Sequence, residues 1–122
     1  MDLKQIAAEL VAGCREGRER ENLDRLYAPD AVSVEAVDFG NGREVRGLDG
    51  IKAKHDWWES SFEVVEAEVS DPYPHGDDRF AVTFDVTTRS KETGNETRMR
   101  EVAVYHVAAG RIVREEFFYG AG

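Results

Sequence analysis

Leu3, Ile6, Ala7, Leu10, Val11 and Cys14 recur at three- and four-residue spacing, which places them on one side of an α-helix with Asp2 as its N-cap. Arg15 to Glu21 is charged on every side and reads as a connector. Asn22 to Tyr27 reads as a short second helix, closed by Pro29 two residues later. Val32, Val34 and Val37 mark a strand within Ala31 to Asp38. The run Phe39-Gly40-Asn41-Gly42 is a turn, with Asn-Gly the usual hairpin dipeptide, leading into a brief return strand over Arg43 to Arg46. The clearest helix follows. Leu48, Ile51, His55, Trp58 and Phe62 form one continuous stripe, and Asp49 stands near its start, where a carboxylate favours the helix dipole.

Beyond this helix the period changes from helical to alternating. Phe62 to Val69 places Val65, Ala67 and Val69 on one face. Phe80, Val82, Phe84 and Val86 alternate with Ala81, Thr83, Asp85 and Thr87. Thr97 to Ala108 puts Met99, Glu101, Ala103, Tyr105 and Val107 on one side, with Arg98, Arg100, Val102, Val104 and His106 on the other. Thr93-Gly94-Asn95 joins these two long strands, and Gly110 turns the chain into a last strand, Arg111 to Tyr119. His75 is expected in a loop. There is no repeat and no linker, so residues 1–122 read as one α+β domain. Its helices pack on one face of a strongly curved, mostly antiparallel sheet.

Composition narrows the function classes. Sixteen Lys and Arg face 25 Asp and Glu, giving a net charge of −9, and a chain this acidic is repelled by a phosphate backbone. No nucleic-acid partner is expected. No apolar run approaches a membrane span, and Lys4 and Glu9 interrupt any signal-like core, so an intracellular, cytoplasmic location is the simplest expectation. Cys14 is the sole cysteine, which excludes an internal disulfide and a cysteine-based zinc site. Between Glu63 and Asp78 six acids stand without a Lys or Arg, but they alternate with apolar residues and do not converge as a calcium loop would. Neither a metal nor an organic cofactor is indicated: phosphate-loop, dinucleotide and zinc-helix motifs are all missing.

Three motifs in order resemble a known family. They are Leu26-Tyr27-Ala28-Pro29-Asp30-Ala31-Val32 before the first strand, Gly47-Leu48-Asp49-Gly50-Ile51 opening the central helix, and Ala109-Gly110-Arg111-Ile112-Val113-Arg114-Glu115-Glu116 at the final turn. Together they are similar to the nuclear-transport-factor-like superfamily, in its SnoaL-like polyketide cyclase and ketosteroid-isomerase-like branch, over nearly the whole chain. The resemblance implies a single SnoaL-like domain and a cone-shaped fold with an apolar pocket between sheet and helices. It also implies a homodimer through the outer sheet face. The fold hosts several chemistries and also non-catalytic binders, so function must be argued from residues.

Carried over residue by residue, the isomerase base position falls on Glu35. The tyrosine donor of the first helix falls near Val11, which cannot donate, and the protonated carboxyl of the penultimate strand falls on Tyr105. The cyclase acid falls near Phe117 and is absent. Strand parity either turns Glu35 into the pocket or leaves it to solvent, or to Arg43 and Arg46 on the return strand. His55 is either a rim residue of the helix stripe or a second donor, and Tyr105 either a core tyrosine or an oxyanion donor. Glu35, Tyr105 and His55 together would supply the base and donors for abstracting a proton beside a carbonyl. Trp58, Phe84, Met99 and Phe117 are the candidate walls for a small hydrophobic ligand. Three functions stay open: a cofactor-independent isomerase, dehydratase or cyclase; a binder of a small hydrophobic molecule; and a dimerising interaction domain.

Overall fold

A computed structural model describes residues 1–38 and 40–120. Helix α1 spans Leu3–Glu16 and starts in a reciprocal capping box: the Gln5 amide donates to the Asp2 carboxylate, and the Asp2 amide donates to the Gln5 side chain. It ends at Gly17, whose left-handed backbone (φ 71°) lets its neighbour Arg18 cap Gly13 at 2.7 Å. Helix α2 (Glu19–Leu26) begins two residues later, so the expected connector over Arg15 to Glu21 is mostly helical. Ring-wide charge still allows a helix when Leu23 and Leu26 supply the buried face.

Strand β1 covers Tyr27–Val34, beginning four residues earlier than the valine pattern suggests. Pro29 therefore sits inside a strand instead of terminating a helix. A register irregularity between Tyr27 and Val32 accommodates it, since proline has no amide to donate to a ladder. In the turn that follows, the Asp38 carboxylate accepts the amides of Gly40 and Gly42, and Phe39 lies outside the described residues. Strand β2 (Glu44–Arg46) returns antiparallel to β1, and α3 spans Leu48–Ser61.

Strands β3 (Phe62–Val69), β4 (Tyr73–His75), β5 (Arg79–Ser90), β6 (Glu96–Ala108) and β7 (Arg111–Phe118) complete the element order. The short β4, which places His75 opposite Arg79, corrects the loop expected there. In β3 a bulge between Val64 and Glu66 breaks the predicted alternation, and Val64 and Val65 are both exposed. The sheet order is β2-β1-β7-β6-β5-β3, with β4 against β5. It is a curved, unclosed mixed sheet, because β1 and β7 run parallel while the other pairs are antiparallel.

Leu3, Ile6, Leu10 and Val11 of α1, Leu23 and Leu26 of α2, and Ile51 of α3 pack on the inner sheet face. They meet Phe80, Val82, Ala103 and Ile112 there. Outward-facing residues of β3 are solvated, as the acidic stretch from Glu63 requires. Among the described residues no helix is long and apolar enough to cross a membrane.

Candidate functional site

Register puts the inner-face side chains into rows. Phe80, Tyr105, Glu115, Ser33 and Val45 are successive partners across β5, β6, β7, β1 and β2. Val82, Ala103 and Phe117 form the next row, and Val69, Phe84 and Glu101 belong to a third. Glu35, two residues beyond Ser33, shares its parity and its face.

Glu115 lies in this first row at 2% exposure. Such a carboxylate needs donors, and it has two: the Tyr27 hydroxyl donates to one oxygen and the Ser33 hydroxyl to the other, at 2.7 Å. Lys54 reaches in from α3 and donates from Nζ to Ser33 Oγ at 2.7 Å. The same ammonium pairs with the Glu35 carboxylate and stands 5.0 Å from the centre of the Phe117 ring. Tyr119, just beyond β7, donates its hydroxyl to the other Glu35 oxygen at 2.9 Å. One connected polar chain therefore runs from Tyr27 through Glu115, Ser33, Lys54 and Glu35 to Tyr119.

Glu101 on β6 adds a third inner carboxyl. Burial, the charge of Glu35 and the charge of Glu115 push it up to about 7 from 4.5, with Lys54 pulling the other way. It borders a groove of about 750 Å³, partly open to solvent, that draws on both faces of the sheet: Val69 and Phe84 line it from the inner face, and Asp85, Arg100, Val102 and Phe118 from the outer one. Arg15 closes one side by donating to the Val69 carbonyl at 2.8 Å and pairing with Asp71. Burial raises the hydroxyls of Tyr27 and Tyr105, with Glu115 adding to both, so each is a neutral donor at ordinary pH. Burial also pushes the Cys14 thiol up to about 12, leaving it packed and unreactive. Among the described residues no cluster of His, Cys, Asp or Glu could hold a metal ion.

The sequence-predicted residues are distributed as follows. Glu35 is half-buried and its carboxylate turns inward; Arg43 reaches only its backbone carbonyl, at 2.9 Å. Tyr105 is 3% exposed and stacks on Phe80 at 5.1 Å, one row deeper than Glu35. His55 is half-buried on α3. No hydrogen bond or ion pair among the described residues joins any two of Glu35, Tyr105 and His55. Phe84 borders the groove, Phe117 lies under Lys54, Trp58 packs on Phe62 at 5.9 Å, and Met99 is half-buried on β6. Lys54, Glu101, Glu115 and Tyr119 join the site from outside the candidate set. Glu101 carried a usable signal, as the one acid among Met99, Ala103 and Tyr105 on an inward face.

A family model for the SnoaL-like domain matches residues 7–115. The chain belongs to the SnoaL-like family. This SnoaL-like protein is 31% identical to a candidate SnoaL-like polyketide cyclase from Mesorhizobium loti, with a TM-score of 0.90 over 98% of this chain and 100% of that one. An NTF2-like protein from Burkholderia thailandensis superposes with a TM-score of 0.83 at 19% identity, covering 98% and 92%. A candidate isomerase from Bacillus subtilis does so at 0.81 and 19%, covering 98% and 90%. The last two share the fold. No curated protein matches the SnoaL-like chain.

Proposed function

We propose that this SnoaL-like protein is a cofactor-independent isomerase, dehydratase or cyclase acting on a small hydrophobic carbonyl compound. Glu35 is the general base. It removes a proton from the carbon beside the carbonyl, and the electron pair moves onto the carbonyl oxygen as an enolate. Glu101, whose carboxyl holds its proton up to about pH 7, donates a hydrogen bond to that oxygen. In this reading Glu101 has the donor role that the resemblance placed on Tyr105, which sits one row too deep. Trp58, Phe84, Met99 and Phe117 supply apolar walls, and His55 stands at the rim.

The observation that carries the reading is the inward turn of the Glu35 carboxylate, held by Lys54 and Tyr119, beside a second carboxyl on the same face. The 31% identical relative, a candidate polyketide cyclase, supports the same class of chemistry. The test is deuterium uptake from D₂O into a panel of hydrophobic ketones. The parent protein is expected to catalyse uptake into at least one. Glu35→Gln should lose about a hundredfold or more, the range of a general base. Unchanged uptake in that variant would overturn the assignment.

A second reading, a non-catalytic binder of a small hydrophobic molecule, is favoured by Val11. It is buried in the core where the isomerases carry a donor. Ketone binding without deuterium uptake would select it. In either reading a second copy of the chain covers the outer face of the sheet, where Val102 and Phe118 are exposed neighbours.

A further inference from the structure

Glu115 is a charged group inside the core that the proposed proton transfer does not touch. Burying a carboxylate is costly unless donors meet it, and two hydroxyls are committed to this one. One Glu115 oxygen accepts from Tyr27 and the other from Ser33, so the single proton of the Ser33 hydroxyl is spent on it. The Ser33 oxygen then presents lone pairs to the other side, where the Lys54 ammonium donates to it. Each bond polarises the next, which strengthens the chain. Lys54 in turn holds Glu35.

We propose that Glu115 is a positioning residue: by fixing the direction of the Ser33 hydroxyl it seats Lys54, and through Lys54 it sets the place of Glu35. The value of this device for catalysis rests on the reading of Glu35 as the base; the device itself does not. The groups around Glu35 are Lys54 from α3, Tyr119 beyond β7, Glu101 from β6, and Arg43, which binds its backbone carbonyl. Lys54 is the one cation among the side chains facing that carboxylate in the described residues. Freed from Ser33, it would keep only the Glu35 carboxylate and the Phe117 ring, neither of which fixes its direction as the hydroxyl does, and would swing on a flexible stem.

Glu115→Gln keeps the shape but presents an amide. With its oxygen accepting from Tyr27, its NH₂ faces Ser33 and competes with Lys54 for the same lone pairs. Ser33→Ala removes the link outright, and Ser33→Thr keeps a hydroxyl. The measurement is hydrogen exchange of the Lys54 ammonium, followed by ¹⁵N NMR on the unliganded protein, with thermal stability recorded alongside. Glu115→Gln and Ser33→Ala should each accelerate exchange about tenfold, the loss of one charge-assisted hydrogen bond. Ser33→Thr should restore slow exchange, and the double variant should exceed neither single one. If Glu115→Gln lowers stability but leaves Lys54 exchange unchanged, Glu115 is structural only and the proposal is overturned. Failure of the enzymatic reading would show separately, as absence of deuterium uptake by the parent protein while the Lys54 result stands.

Discussion

Burial and two neighbouring carboxylates push the Glu101 carboxyl up to about 7. In the unfolded chain it returns to its ordinary value of 4.5. A raised folded value means that the protonated form favours folding. Its contribution is therefore full below pH 4.5 and is lost as pH rises through 7. Glu101→Gln removes this titration. In urea unfolding, the variant should gain stability over the parent as pH rises, by up to about 3 kcal/mol at pH 8. The gain should vanish near pH 4.5. A difference that does not grow with pH would show that the folded protein does not hold this proton. Strand parity sets Glu101 on one face with Met99, Ala103 and Tyr105, but for Glu35 it leaves pocket and solvent both open. Parity could not show which carboxyl meets a cation. On α3 the stripe pointed to His55, yet Lys54 stands three residues from Ile51 and four from Trp58, the same spacing, and its longer stem reaches Ser33.

The crossing of α1 and α2 depends on a missing side chain. A Cβ built on Gly13 would stand 2.0 Å from the amide nitrogen of Asn22. Asn22 is 1% exposed and donates to the Glu9 carbonyl at 3.0 Å, so it cannot retreat without breaking a buried hydrogen bond. Replacing an interior helical glycine by alanine normally gains about 1 kcal/mol. At this position Gly13→Ala should instead cost about 1–3 kcal/mol by overpacking, read as a lower denaturation midpoint. A midpoint that rises would refute the close contact. Helix and strand existence was readable here from spacing alone, as the α3 stripe and the alternation in β5 show. What escaped were places where tertiary pairing outranks local preference. Pro29 is tolerated in β1 because the ladder is irregular beside it, the β3 bulge turns Val64 and Val65 to solvent, and β4 forms only because β5 offers it an edge.

Across the whole molecule the two sheet faces differ. On the outer one, Asp85 is drawn down to about 2 by hydrogen bonds from Arg98, with Arg100 adding to it, so this end of the face is charged and internally paired. At the Val102–Phe118 pair it is apolar, with the two side chains 40% and 51% exposed, and beyond it the Arg114–Glu116–His106 cluster is charged again. If a second copy covers that patch, Phe118→Glu should halve the particle mass measured by light scattering and leave the fold intact. A parent protein already at 13.7 kDa in solution would remove the basis of the dimer. The resemblance made this architecture legible as a whole. The inner polar chain was not, because its members are far apart in sequence: Ser33 and Glu115 are separated by 82 residues and Tyr27 and Glu115 by 88. That separation has a consequence for how the protein is made. Strand β1 can find its parallel partner only after β7 has been synthesised. At translation speeds of about 5–20 residues per second, the hydroxyls of Tyr27 and Ser33 wait on the order of ten seconds for their acceptor. The helices and the β5–β6 hairpin can form on the ribosome in that interval, whereas the candidate site closes last and by the slow, non-local step.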